Sequence, residues 1–349
     1  MHEGPGGTRK AVGKERELFP RTAPELPNRL DGAQVEPGST DSGAGGRSND
    51  RFGHWVTCCK IPAHALRRFL PVLLPMLLTG ASSVETPRPL AQWPESARAA
   101  IGGFMTDIDD TLTCDGTIEP AALQALHDLA AAGLPVVAIT GRPLGWSQAI
   151  ASTWPVSAIV AENGAVALIR DGQRWLTEFV QDEATRHANA VRLQAVAARV
   201  LRDVPGAVLS QDSPGRVTDI AVDHSEFVHL PLQRIEQVVA LMRQAGMNAT
   251  VSSIHINGWF GNHTKWTAAR WMVRRLWGRE LQDELNGWVY VGDSTNDQLM
   301  FQHFAQAVGV ANLMRFAADL KVWPAYLTPS ERGMGFAEVA QAVLAARRA

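Results

Sequence analysis

From residue 102 onward, short apolar runs alternate with longer stretches of helical character. GGFMT (102–106), LPVVAIT (134–140), VSAIVAE (156–162), WVYVGD (288–293) and QAVGV (306–310) are apolar runs of strand length. Runs with no polar alternation are strands buried on both faces. Pro120–Ala132 is predicted to be a helix stopped by Gly133, and 145–153 a second helix. Strands and helices in alternation specify a parallel sheet covered on both sides. The expected class is α/β, with a Rossmann-like parallel-sheet core.

Between Gly164 and Gly261 the pattern changes. AVALIRDGQRWLTEFV predicts a hairpin turning at Asp171-Gly172. A long helix is expected over 182–202, and LPLQRIEQVVALMRQAG forms an amphipathic helix ended by Gly246. RVTDIAVD (216–223) alternates like a half-buried strand with its arginine and acids toward solvent, and NATVSSIHING reads as one further strand. Residues 165–260 are therefore expected to form an inserted α+β cap domain. The catalytic core is expected at 89–164 and 261–349.

The leader, residues 1–88, has a different texture. Its first 55 residues are rich in Gly, Pro, Ser and charge, without a sustained apolar period, and are expected to be disordered. RRFLPVLLPMLLTGASS (67–83) has the outline of a secretory signal core. Its apolar run is shorter than the roughly 20 residues of a membrane span, and two prolines interrupt it. Three readings stay open: a translation start near Met76, a signal or anchor reached from another start, or a native leader.

Composition narrows the function classes. The chain has 349 residues, 46% apolar and 19% charged, enough for a sizeable core in about two domains. A net charge of −2 gives no general attraction to nucleic acid. Cys58 and Cys59 are adjacent and Cys114 stands alone, so no disulfide framework or CxxC pair is present. A reducing, cytoplasmic setting is expected, with 67–83 leaving export open. The expected partner is a small molecule, with no nucleic acid and no membrane span, and the oligomeric state stays open.

The chemistry gathers at the ends of the predicted strands. The first strand runs into DIDDTLTCDG (107–116), the second into Thr140-Gly141-Arg142, the third into Glu162-Asn163-Gly164, and a later one into GDSTND (292–297). In open parallel sheets ligands bind at the carboxyl ends of the strands. Acids this crowded repel one another, and a hard divalent cation such as Mg2+ relieves that repulsion through oxygen ligands. One acid is then free to act as a nucleophile and another as a proton donor. Phosphoryl transfer suits such a site, because a metal and a lysine can hold the charge on its oxygens.

Asp107-x-Asp109-x-Thr111, Thr140-Gly141-Arg142-Pro143, Lys265 and Gly292-Asp293-x-x-Asn296-Asp297, in this order, resemble the motifs of the haloacid dehalogenase superfamily. Glu162-Asn163-Gly164-Ala165 and the large insertion resemble its Cof-type branch, subfamily IIB, which includes sucrose-phosphatase. The resemblance covers about residues 100–345. It implies that Asp107 is the nucleophile that forms an aspartyl-phosphate, and that Asp109 is the general acid and base. It implies that Thr140 and Lys265 hold the phosphoryl group. Magnesium would sit on the Asp107 carboxylate, the Asp109 carbonyl and Asp293, with Asn296 and Asp297 behind them. Thr111, Gly141, Arg142 and Asn163 are assigned to substrate binding. Asp110 stands where the family often has glycine.

Blander readings stand beside these. Asp115 is expected to be a turn residue, and Lys265 at a helix start is a solvated lysine if it is not catalytic. Arg142 either binds substrate phosphate or braces its loop. Most of the tryptophans belong to packing, with Trp146 and Trp259 nearest the site loops. Arg216, Asp219, Asp223, His255 and Asn257 lie on cap segments where they either read substrate hydroxyls or support structure. The expected function is a magnesium-dependent phosphatase acting on a small phosphorylated metabolite, a sugar phosphate. The alternatives are a phosphomannomutase-like phosphomutase and a catalytically silent binding protein of the same fold.

Overall fold

The structure is a computed structural model that describes residues 86–348, all within one compact unit. The leader segment 67–83 and the start near Met76 lie outside the described residues.

In chain order the strands are β1 (Arg88–Pro89), β2 (Gly103–Thr106), β3 (Thr113–Cys114), β4 (Thr117–Ile118), β5 (Val136–Ile139), β6 (Ala158–Ala161), β7 (Val166–Asp171) and β8 (Arg174–Phe179). They continue with β9 (Val208–Leu209), β10 (Asp219–Asp223), β11 (Asn248–Val251), β12 (His255–Trp259), β13 (Trp288–Gly292), β14 (Ala307–Gly309) and β15 (Tyr326–Leu327). The helices are α1 (Glu95–Ala99), α2 (Pro120–Ala131), α3 (Leu144–Ala151), α4 (Glu183–Asp203), α5 (Leu232–Gln244), α6 (Lys265–Trp277), α7 (Gln298–His303) and α8 (Arg332–Ala346).

The main sheet runs β1-β15-β14-β13-β2-β5-β6-β7-β8. Its pairs are parallel from β1 to β6, and the last two pairs are antiparallel. Successive side chains alternate between two apolar layers. Phe104, Ala138, Val289 and Val291 face α2 and α8, while Met105, Val137, Ile139 and Tyr290 face α6 and α7. That is why these strands read as unbroken apolar runs. From β2 the chain winds outward through β5 and β6, and later through β13 to β14 on the other side. The crevice between β2 and β13 is thus the switch point of the sheet.

Three features of the 164–261 stretch differ from expectation. The β7–β8 hairpin, with Gly172 in its turn, pairs with β6 and extends the main sheet rather than the insertion. Its β7 is apolar on both faces, which suits a sheet interior. NATVSSIHING forms two strands, β11 and β12, which turn at Ser252–Ile254 and pair antiparallel. The Ser-Ser pair is the turn. Strand β10 is buried along its whole length instead of facing solvent on one side. Its Ile220 and Val222 pack with α4 and α5, while Asp219 approaches Asn163 of the main-sheet layer.

The smaller sheet, β11-β12-β10-β9, with α4 and α5 holds its own apolar cluster. Among the described residues, no helix is long and apolar enough to cross a membrane.

Candidate active site

Asp107 is the first residue past β2, and Asp293 the first past β13. The two strands are in register, Thr106 opposite Val291, and the Asp107 N–H donates to the Val291 carbonyl at 2.9 Å. Parallel pairing therefore forces two acids 186 positions apart in the chain to the same depth. Asp297 joins them from the turn after β13. Carboxylate oxygens of Asp107, Asp293 and Asp297 lie within 4.8 Å of one another, all buried.

Lys265 is placed against them by an unusual choice. It opens α6 behind the N-cap Thr264, whose side chain closes a capping box with Thr267. A cation there opposes the helix dipole, and only 4% of this side chain is exposed. Its Nζ lies 2.9 Å from Asp107 Oδ1 and 2.8 Å from Asp297 Oδ1. Asn296 Oδ1 accepts from the same Nζ at 3.4 Å. The lysine at this helix start is thus buried among acids, not solvated.

One lysine does not balance three carboxylates. Burial pushes the Asp107 carboxyl up to about 7, and Asp297 and Asp109 add to this against the pull of Lys265. Burial, followed by repulsion from Asp107 and Asp297, raises Asp293 well above the ordinary carboxylate range. Burial works to neutralise Lys265, but Asp107 and Asp297 more than offset it and hold the ammonium charged. The cluster carries excess negative charge in a dry setting, and its donors are all oxygens. That combination fits a small divalent cation of the magnesium type. Asp107 and Asp293 would hold it, with Asp297 behind.

The rest of the cluster fixes these acids. Thr111 Oγ1 donates to Asp293 Oδ1 at 3.4 Å, and Asn312 Nδ2 donates to Asp293 Oδ2 at 3.2 Å. The Asp297 carboxylate accepts from the backbone N–H of Asp293 and Ser294, at 2.9 and 3.1 Å, and from the Tyr290 hydroxyl. Asn312 and Tyr290 went unrecognised in the sequence. Asn312 lies three residues past β14, much as the acids follow their own strands, so the same strand-end signal marks it. Tyr290 looks like one more apolar residue of β13 until the sheet turns it toward Asp297.

A second group adjoins the first. Asp109 accepts from Thr140 Oγ1 at 3.3 Å and from Arg142 Nε at 2.8 Å. The other Arg142 nitrogens meet Asp212 Oδ2 at 3.3 Å and Glu226 Oε1 at 2.8 Å, both on the smaller sheet's side. Its guanidinium is thus occupied by three carboxylates and packs 5.3 Å from the Trp146 ring. His255 Nε2 lies 2.8 Å from Glu226 Oε2.

Gly141 presents its carbonyl to Arg216 Nη1 at 2.9 Å and to Asn257 Nδ2 at 3.3 Å. A Cβ at Gly141 would come within 3.2 Å of the Asn257 side chain, so a larger residue would push the two layers apart. Arg216 also pairs with Asp219 at 2.9 Å and Asp212 at 3.1 Å.

Asn163, in the left-handed region at φ 57°, meets Asp219, its Nδ2 3.5 Å from Asp219 Oδ2, and shares a cavity with Lys265 and Asn296. Its neighbour Glu162, also left-handed, accepts from the N–H groups of Leu144, Val217 and Thr218. Asp223 caps the turn after β10 through the N–H groups of Ser225, Glu226 and Phe227. Trp259 is buried against His263, and Asp115 with Gly116 makes the turn between β3 and β4.

The comparisons with known proteins bear on the family and the fold. Residues 104–199 match the sequence profile of the haloacid dehalogenase-like hydrolases, which takes in Asp107, Asp109 and Thr140. The fold resembles that of sucrose-phosphatase from Synechocystis, solved with sucrose and phosphate, at 14% identity and TM-score 0.51. That likeness covers 69% of this chain and 97% of the other. It also resembles a HAD/COF-like hydrolase of Plasmodium vivax, at 16% identity and TM-score 0.53, over 72% and 99% of the two chains. A third is the C-terminal domain of trehalose-6-phosphate phosphatase from C. albicans, at 13% identity and TM-score 0.53, over 75% and 99%. No curated protein matches the chain by sequence.

Proposed function

We propose that this chain, a haloacid dehalogenase-like hydrolase by its family match and fold, is a magnesium-dependent phosphatase of small phosphorylated metabolites, acting on a sugar phosphate through an aspartyl-phosphate. The reading rests on one observation. Lys265, Asp107, Asp293 and Asp297 meet in one buried cluster with acids in excess, at the switch point of a parallel sheet. The sugar phosphatases among the structural neighbours agree with it.

Each residue has a part that its surroundings support. Asp107 is the nucleophile, and Lys265 at 2.9 Å favours its ionised form against the pull of burial and aims it. A bound magnesium would neutralise charge on the transferring phosphoryl group. Asp109 gives a proton to the departing oxygen and then takes one from water, held in place by Arg142 and Thr140. Thr140 Oγ1 also accepts from the Arg142 N–H at 2.9 Å, which fixes the hydroxyl that donates to Asp109. Asn296 and Asp297 fix Lys265 from behind. Arg142, Arg216 and Asn257 tie the smaller sheet over the strand ends and keep bulk water out.

The test is turnover of a sugar-phosphate panel with magnesium. Asp107→Asn is expected to lower kcat by at least about a thousandfold. Wild-type turnover in that variant would remove the nucleophile and the reading with it. Release of free phosphate separates a phosphatase from a phosphomutase, which would return a shifted ester.

A further inference from the structure

A cavity of about 310 Å³ opens beside Asp109, between the strand ends and the smaller sheet. It has the room of roughly ten water molecules, a volume suited to one sugar ring. Since Asp109 stands at its inner wall, this is where a departing alcohol would sit. Its core-side wall carries a pair that the reaction itself does not use. Arg332 Nε lies 2.9 Å from Asp110 Oδ1.

Both residues of the pair hold left-handed backbone, Asp110 at φ 54° and Arg332 at φ 53°. Glycine accepts that conformation freely, whereas a branched or long side chain pays for it in conformational energy. Two such residues, paired side by side on one cavity wall, imply that their side chains are needed there. Asn312 pins both: its Nδ2 donates to the Asp110 carbonyl at 2.9 Å, and its Oδ1 accepts from the Arg332 N–H at 2.9 Å. The same Asn312 holds Asp293. The pair is therefore set rigidly relative to the acid cluster.

The pair also has hydrogen-bonding capacity left. Arg332 Nε is buried against Asp110, off the line of a hydrogen bond, while 23% of the Arg332 side chain and 15% of Asp110's stay exposed at the cavity. Opposite, on the smaller sheet's side, Ser253 lines the same space, its hydroxyl within reach of the Asp110 carboxylate. Phe227, 59% exposed, offers an apolar face at the rim. A carboxylate, a guanidinium N–H and a hydroxyl around one small space can donate to and accept from vicinal hydroxyls.

The charge balance selects among leaving groups. Every arginine on the wall already faces a carboxylate: Arg142 meets Asp109, Arg315 meets Glu331, and Arg332 meets Asp110. Asp115 and Glu226 add further negative charge to the same wall. A leaving group with its own carboxylate or second phosphate would meet no free cation there.

We infer that Asp110 and Arg332 are specificity-determining residues that read the hydroxyls of an uncharged polyhydroxy leaving group. This rests on the phosphatase reading above.

The test uses the full-length protein and its glycine variants Asp110→Gly and Arg332→Gly. Glycine is the residue the backbone prefers at both positions, so thermal midpoints should stay close to wild type. Glucose phosphate and mannose phosphate are the probes with hydroxyls. Nitrophenyl phosphate is the probe without them, and phosphoglycerate the anionic one. Each variant is expected to lose about ten- to hundredfold in kcat/KM on the hexose phosphates, chiefly through KM. Nitrophenyl phosphate turnover should change by less than about threefold. Wild type should favour hexose phosphates over phosphoglycerate.

A parallel loss on hexose and nitrophenyl esters overturns the inference, as does no loss on either. So does a wild-type preference for phosphoglycerate. Wild type that hydrolyses none of the four esters overturns the phosphatase reading instead, and this inference falls with it.

Discussion

Two groups of buried and half-buried acids lie close together in this molecule, and they are built on opposite terms. At the strand tips Asp107, Asp293 and Asp297 share one cation, Lys265. Where the smaller sheet meets the core, Glu162, Asp212, Asp219 and Glu226 face Arg142, Arg216 and a set of backbone N–H groups. Their carboxyls record the difference. Burial opposes ionisation of Asp212 and Glu226, yet Arg216 in one case and His255 with Arg142 in the other bring both below the usual range. Asp107 and Asp293 are pushed the other way. Asp219 is the exception in the matched group, raised to about 6 by burial despite Arg216. A matched cluster holds two layers together. An unmatched one lacks positive charge, and a metal ion and a phosphoryl group are the partners that would use it.

The contrast can be broken by removing one charge from each group. Asp293→Asn should cost the largest effect, a loss of about a thousandfold or more in kcat, together with loss of the thermal shift that magnesium gives wild type. A magnesium-induced shift that survives in this variant would place the ion elsewhere.

Arg216→Leu strips the matched group of a buried cation and leaves Asp212 to Arg142, and Asp219 and the Gly141 carbonyl to neutral amides. It should destabilise the fold by about 3 kcal/mol in denaturant titration. A change below about 1 kcal/mol would mean that the layers are held by apolar packing alone.

Glu162→Gln keeps the shape but weakens acceptance from Leu144, Val217 and Thr218. It should cost about 2 kcal/mol by the same measurement. By contrast, Asp107→Asn in the unmatched group should leave metal-free stability unchanged or higher, because it relieves repulsion.

The finest distinction is in pH. Asp107 holds its proton to about 7 in the fold but loses it near the ordinary 3.8 when unfolded. Across that window the native state binds more protons, so metal-free stability should fall as pH rises from about 4 to 7 and then level off. Magnesium, which favours the ionised form, should flatten that slope. A metal-free midpoint that rises through the window would contradict the excess of acid.

The core of this arrangement was legible in the chain because local pattern and global fold agree there. Unbroken apolar runs such as VVAI and WVYVG could only be doubly covered strands, and the residue after each run had to lie at a strand tip.

The smaller sheet was harder to read. The acids of β10 looked solvent-facing because alternation separates two faces without saying what covers each. Asp219 turns out to meet Asn163 and Asn257, which are distant in sequence. Glu226 and Asp212 sit in loops with no period at all, and only the approach of Arg142 gives them a role.

By itself, then, the sequence determined the α/β alternation, the strand ends and the acids standing on them, since each follows from periodicity within a few residues, while Lys265 stood out only by its place in the motif order. Tertiary structure alone decided that the 166–179 hairpin joins the main sheet, that Arg142 is held by three carboxylates, and that Asp110 pairs with Arg332 on a cavity wall. These are contacts between segments tens to hundreds of residues apart. Their partners are chosen by packing and charge pairing, which leave no periodic trace along the chain.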